Sequence, residues 1–267
     1  MKILIVSGFL GAGKTTFIKR LARNVDQRFA ILENEYGAAG IDGARLGQNR
    51  QGTQKNVWEM TEQCICCIGK KDFAASVLTI ANVVDPEYLI VEPTGVGSLA
   101  RIIENLRQIE YERIQLLSPV TIVDVYSYRR YMAEYPELYQ DQIRSADTII
   151  VSKTEACQAE EKQRIQKFLQ EINPQAKIIT DYASTMTRED YQSLLLGGRY
   201  EKEVQDTQSG EKMPETFSFE NIRMEAPETL WCFLEQIIRG AFGNIIRAKG
   251  QFAAGDQFLQ FDVADHR

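Results

Sequence analysis

The chain has little histidine, little cysteine and no excess of positive charge. Its one histidine, His266, is the penultimate of 267 residues. A metal site therefore has to rely on sulfur and carboxylate ligands, unless the tail folds back. Lys and Arg total 31 against 37 Asp and Glu, a net charge of -6. Such a chain lacks the basic surface that non-specific nucleic-acid binding needs, so no nucleic-acid partner is expected. No apolar run approaches the roughly 20 residues that span a bilayer, so no membrane partner is expected either. The opening MKILIV runs straight into a glycine-rich loop and reads as a strand, not a signal peptide. A cytoplasmic location is expected, where thiols stay reduced. The five cysteines are then not a disulfide framework. The hydrophobic content, 44%, suffices for one large core, or for one domain plus a small second one.

Strand-like and helix-like stretches alternate. Strands are expected at Lys2 to Val6, Phe29 to Glu33, Asn56 to Met60, Tyr88 to Val91, Pro119 to Val123, Thr148 to Val151 and Lys177 to Thr180. Helical spacing covers Lys14 to Asn24, Lys71 to Val84, Ser98 to Ile109 and Gln158 to Ile172. This alternation predicts an α/β fold: a P-loop, doubly wound, mostly parallel sheet with helices on both faces. Residues 34 to 54, rich in Gly, Ala, Asn and Gln, read as a long mobile loop. The pattern changes near residue 197. The expected organisation is a nucleotide-binding domain over 1–197, a polar linker over 198–216 and a small α+β domain over 217–267. The last contains a strand at Phe217 to Met224, a helix at Pro227 to Ala241 and two further strands.

Gly8 to Thr15 reads GFLGAGKT, which fits G-x-x-x-x-G-K-[ST] between a strand and a helix. Glycines let main-chain N–H groups turn towards phosphate oxygens, and the following helix adds the positive end of its dipole. Gly8, Gly11, Ala12, Gly13, Lys14, Thr15 and Thr16 are the expected nucleotide contacts. Lys14 brings a mobile charge to the outer phosphates, and Thr15 can place its hydroxyl on Mg²⁺. Ser152-Lys153-Thr154-Glu155 ends a later apolar strand, where GTPases carry Asn-Lys-x-Asp. A carboxylate there accepts the paired donors of guanine, which adenine lacks. Ser152, Lys153 and Glu155 are the expected base contacts, so the expected nucleotide is GTP or GDP.

Residues 62 to 70 read EQCICCIGK, with Cys64, Cys66 and Cys67 inside four positions. In a locally extended chain Cys64 and Cys66 share a face, and Cys67 needs a bend to join them. Two or three thiolates suit Zn²⁺, Cu(I) or Co²⁺. Two rival readings stay open: a redox couple at the CxxC spacing of Cys64 and Cys67, and three buried apolar thiols. Cys157 and Cys232 read as core residues. Glu33 ends a strand beside the phosphate loop, and Glu35 follows in the mobile segment. They act on Mg²⁺, on the transition metal or on the attacking water, or they are solvated loop acids. Gly95, in Glu92-Pro93-Thr94-Gly95, can offer its N–H to a γ-phosphate. Asp124 closes another strand, either near the site or as a helix cap.

Together GFLGAGKTT, ENEYG (33–37), CICC (64–67), EPTG (92–95) and SKTE (152–155) resemble, in order and spacing, the motifs of the CobW-like P-loop GTPases. RAKG (247–250) resembles the signature of that family's C-terminal domain. The family comprises presumed metallochaperones and metal insertases related to the urease and hydrogenase nickel accessory GTPases. The resemblance implies GTP hydrolysis, with Lys14, Glu92 and Gly95 as the catalytic group, and the lack of an obvious arginine finger predicts a slow intrinsic rate. It implies that Glu92 holds Mg²⁺ through water or positions the attacking water. It implies a transition metal, of Zn²⁺ or Co²⁺ class, held by Glu33, Cys64, Cys66 and Cys67. A client metalloprotein, and a homodimer, are the partners it suggests. The chain departs from the pattern at Ala38, where many members carry an acid, at Gln63, where glycine is common, and at Ser152 and Glu155. The C-terminal module is short and lacks the His-rich stretch of many members. A second reading is a nucleotide-gated interaction module that assists a corrinoid or other metalloenzyme, its CxCC site structural or redox-active. A small-metabolite kinase would leave SKTE and CICC unexplained.

Overall fold

The computed structural model describes residues 1–27, 29–35, 57–63, 70–204, the single positions 217, 219, 222 and 224, and 226–254 and 257–264. Its centre is β1 (Lys2–Gly8), whose residues from Ile3 onward are all buried. Side chains alternate across a strand. Ile3 and Ile5 enter one apolar layer and Leu4 and Val6 the other. A strand covered on both faces reads as a continuous hydrophobic run, and KILIV is one.

Around β1 run β2 (Phe29–Glu35), β3 (Val57–Gln63), β4 (Tyr88–Glu92), β5 (Gln115–Leu116), β6 (Val120–Asp124), β7 (Thr148–Ser152) and β8 (Lys177–Ile179). The order is β3-β2-β4-β1-β6-β7-β8, with β5 also paired to β1. All these pairings are parallel. β5 and β6 share one edge of β1: Lys2 and Ile3 pair with β5, and Val6 to Gly8 with β6.

One face of the sheet carries α1 (Lys14–Asn24), which packs Phe17, Ile18 and Leu21 onto Leu4, Val6 and Ile31. The other carries α2 (Lys70–Val83) and α3 (Leu99–Arg107), through Phe73, Val77, Ile102 and Ile103. It also carries α4 (Tyr128–Glu134), α5 (Pro136–Arg144) and α6 (Ala159–Ile172). Two short helices, α7 (Tyr182–Thr185) and α8 (Arg188–Leu196), return to the α1 face through Tyr182, Tyr191 and Leu195. The sheet and its two helical layers are the expected doubly wound α/β arrangement. The motifs had given no sign of α4, α5, α7 or α8. Asn34 and Glu35 belong to β2 rather than to the expected loop, because both continue the pairing with β3.

Residues 199–202, at the start of the expected linker, lie against this domain. Tyr200 is 2% exposed. Its N–H donates to Leu116 O (2.9 Å) and its hydroxyl to Ser145 O (2.8 Å). Further on, α9 (Pro227–Ile238) lies beside an antiparallel hairpin of β9 (Arg247–Ala254) and β10 (Gln257–Ala264). Met224 N donates to Ala253 O (3.3 Å); most of the strand expected over Phe217 to Met224 lies outside the described residues. Cys232 is exposed rather than in the core, since α9 buries only Leu230 and Ile237. Among the described residues, no helix is long and apolar enough to cross a membrane.

Candidate nucleotide and metal site

The C-terminal edge of a parallel sheet gathers loops on one side, and a ligand crevice forms where strand order reverses. Here β1 ends between β4 and β6, and the phosphate loop emerges from it. Gly13 stands at φ 99° as the residue before α1, with no side chain capping the helix. A left-handed residue is cheap only for glycine. The first turn of α1 carries no acid, which keeps the positive end of its dipole suited to an anion. Lys14 is 6% exposed and folds back, its ammonium donating to Gly8 O (2.9 Å) and Phe9 O (3.3 Å). Ala12 is buried, Gly8 and Gly11 flank it at the loop, and Thr16 is exposed.

Thr15 donates its hydroxyl to the Glu92 carboxylate, at 3.1 Å to Oε1 and 3.3 Å to Oε2. Glu33, 2% exposed, stands in register with Glu92 on the neighbouring strand. Thr15 and Glu92 are therefore oxygen donors in contact beside the phosphate loop, of the kind that suits Mg²⁺, and Glu33 lies on the next strand at the same level. Gly95 is pressed onto the loop. A Cβ there would fall 2.4 Å from Leu10 N, so a side chain has no room.

The pairing of β2 with β3 carries the site further. Glu33 pairs with Thr61 and Glu35 with Gln63. Gln63 therefore ends at the sheet edge that holds Glu33 and Glu92, and Cys64 is the next residue in sequence. Cys64, Cys66 and Cys67 lie outside the described residues, as do Gly37, Ala38 and His266. Among the described residues no group of three or more His, Cys, Asp and Glu could hold a metal ion.

At the other end, Ser152 is buried and donates to Ala12 O (2.6 Å). The hydroxyl that stands in place of an amide therefore ties the loop after β7 to the phosphate loop. Lys153 adopts φ 59° and its ammonium donates to Asp124 Oδ2 (2.6 Å). Asp124 also accepts from Tyr126 N (2.9 Å), so it belongs to this end of the site. Glu155 is exposed at the rim.

Sequence reasoning missed the loop after β8. There Asp181 accepts from Lys162 Nζ (2.6 Å). The Lys162 ammonium and then the Thr154 hydroxyl hold its carboxyl below the ordinary aspartate range. The loop after β7 is thus braced by a residue with φ 57°, a backbone geometry that Asp tolerates better than most. Also unforeseen is the end of β10: a Cβ on Gly11 would fall 2.7 Å from the Ala264 methyl, so the hairpin reaches the phosphate loop.

These features define a P-loop nucleotide-binding domain with two in-register glutamates at the C-terminal edge of its sheet. Residues 2–180 match the family described as CobW/HypB/UreG, nucleotide-binding domain, and the chain belongs to it. It is 30% identical over 178 residues to the zinc chaperone YeiR of Escherichia coli, covering 66% of this chain and 53% of that one. It is 27% identical over 194 residues to the zinc chaperone CobW of Pseudomonas aeruginosa, covering 62% and 52%. The chain thus spans about half the length of the curated relatives it matches. The Zn(II)-bound YjiA GTPase of E. coli shares the fold, with a TM-score of 0.55, 19% identity, all of this chain and 87% of that one. The hydrogenase maturation factor HypB of Archaeoglobus fulgidus does so at a TM-score of 0.50 and 18% identity, covering 73% of this chain and 89% of that one.

Proposed function

We propose that the chain is a GTP-hydrolysing metallochaperone, which couples its nucleotide state to the binding and delivery of a Zn²⁺- or Co²⁺-class ion to a client metalloprotein. One observation carries this reading. The β2–β3–β4 register places Glu33, Glu92 and the exit towards Cys64 on the edge where the phosphate loop opens. The relatives named as zinc chaperones support the metal class.

In this reading the loop from Gly8 to Thr16 cradles the phosphates, and Lys14 leaves its two carbonyls to meet the outer ones. Thr15 and Glu92 hold Mg²⁺, which supplies charge neutralisation when bound. Glu92 orients the attacking water, and Gly95 registers the γ-phosphate from its seat on Leu10. Ser152, Lys153 and Glu155 frame the base. Glu33, Cys64, Cys66 and Cys67 take the transition metal as cargo. Loss of the γ-phosphate contacts releases Gly95 and the segment leading to the cysteines, an order–disorder switch. The C-terminal module offers an exposed Trp231 for docking.

The test is a Co²⁺ titration of the reduced chain, followed by thiolate and ligand-field absorption. It is run with Mg²⁺ plus a non-hydrolysable GTP analogue, then with Mg²⁺ plus GDP. Tetrahedral binding confined to the GTP-like state, and lost in Cys66→Ala, is the expected result. Equal binding in both states would turn the reading towards the nucleotide-gated interaction module. No thiolate signal in either state would end the metal reading.

A further inference from the structure

Helix α5 carries two adjacent buried polar residues that the nucleotide site does not explain. Gln142 is 1% exposed. Its side-chain amide nitrogen donates to Gly95 O (3.1 Å) and Gly97 O (3.0 Å), and its main-chain carbonyl accepts from the Thr121 hydroxyl (2.8 Å). Asp141 caps α3, its Oδ2 accepting from Leu99 N (2.7 Å) and Ala100 N (3.4 Å). One turn of one helix therefore pins the segment from Gly95 to Ala100 at four main-chain atoms. On its other side that segment meets Leu10 of the phosphate loop.

The same helix pair also grips the phosphate loop itself. The Phe9 ring lies 4.1 Å from Tyr131, 5.4 Å from Tyr135 and 5.8 Å from Tyr139, centroid to centroid. Packing alone does not call for a glutamine here. Among the described residues its Oε1 is buried with no hydrogen-bond partner, a cost that Met or Leu of similar volume would not carry. What Gln142 supplies instead is direction, since its two N–H groups fix two carbonyls of the turn that follows Glu92.

We propose that Gln142 is a positioning residue for the nucleotide switch: by holding the Gly95 and Gly97 carbonyls it sets where the Gly95 amide stands against the phosphate loop. This rests on the GTPase reading above. Gln142 is outside the proposed nucleotide and metal contacts and acts through Gly95. Because Gly95 answers only to the third phosphate, the effect falls on the triphosphate state and spares the diphosphate state.

The experiment uses the full chain with Mg²⁺ and compares wild type with Gln142→Met, which keeps the volume and removes both donors. Gln142→Glu is a second variant that keeps the shape and turns a carboxylate towards two carbonyls. Affinity for GDP and for a non-hydrolysable GTP analogue is titrated, and kcat and KM for GTP are measured with urea unfolding as the stability control. The expected result is unchanged GDP affinity with about a tenfold fall in analogue affinity and in kcat, the scale of one or two neutral hydrogen bonds. Equal weakening of both nucleotides, in step with lost stability, would reduce Gln142 to a structural residue. An unaffected Gln142→Met overturns the inference and leaves the GTPase reading standing. A wild-type chain that binds neither nucleotide overturns both.

Discussion

At the residue scale, the site shows which chemistry a sequence can announce. Glycines before a Lys-Thr pair announce a phosphate loop, because few other folds need that spacing; the contact of the Thr15 hydroxyl with the Glu92 carboxylate, by contrast, is announced by neither residue's neighbours. Asp181 announced nothing, since an acid two residues after a strand is ordinary. Its meaning lies in Lys162 and Thr154, which come from elsewhere in the chain. Its depressed pKa makes a pH prediction. A carboxyl that titrates lower in the folded state than in the unfolded chain stabilises the fold above its unfolded value, near 3.8. That contribution is lost as pH falls through the folded value. Asp181→Asn is therefore expected to lower urea stability by about 1 kcal/mol from pH 5 to 7, a modest figure because the carboxylate is partly solvated. The gap between variant and wild type is expected to close as the pH drops below 4. A gap that is constant down to pH 3 would show that the Lys162 contact is not what Asp181 contributes.

At the element scale, the longer strands of the sheet and the main helices were legible because their apolar periods are clean, whereas the two-residue β5 was not. Lys14–Asn24 forms as its spacing predicts, and KILIV is buried on both faces. The helices α4 and α5 were not legible. Their buried positions include Tyr128, Tyr131 and Tyr139, and tyrosine reads equally as core or surface. Pro136, which looks like a break, begins α5 as its first residue, where a missing N–H costs nothing. Asp141 and Gln142 were hidden for another reason: they bond main-chain atoms more than 40 residues away, and main chain carries no sequence signal. The aromatic brace gives a test at this scale. Phe9 is a phosphate-loop residue, yet its ring is 1% exposed among tyrosines. Phe9→Ala leaves a cavity between the loop and α4–α5, and is expected to cost roughly 3–5 kcal/mol in urea unfolding. Phe9→Leu should lose much less. If Phe9→Ala were as stable as wild type, α4 and α5 would not be bracing the phosphate loop.

At the scale of the whole molecule, the chain joins three things at one edge of one sheet. The phosphate loop, the Glu33–Glu92 pair and the exit towards the cysteines come from neighbouring strands, and Ala264 of the C-terminal hairpin touches Gly11 of the loop. Sites built on shared strands can be coupled, and coupling between two ligands is reciprocal. If the GTP-like state tightens metal by some factor, metal must tighten the GTP analogue by the same factor. A typical coupling of about 1–3 kcal/mol corresponds to roughly 5–150-fold. The measurement is a titration of a fluorescent non-hydrolysable GTP analogue into the Mg²⁺-loaded, reduced chain, with and without saturating Zn²⁺. A shift inside that range, absent for GDP and absent in Cys66→Ala, is the expected outcome. Zn²⁺ that changes neither affinity would mean that the cysteines and the nucleotide do not share a switch, however close the strands bring them. A shift that survives Cys66→Ala would place the effective metal on Glu33 and Glu92 instead, in competition with Mg²⁺. Raising Mg²⁺ would then abolish the effect, whereas a thiolate site is indifferent to it, because sulfur is a poor partner for so hard a cation.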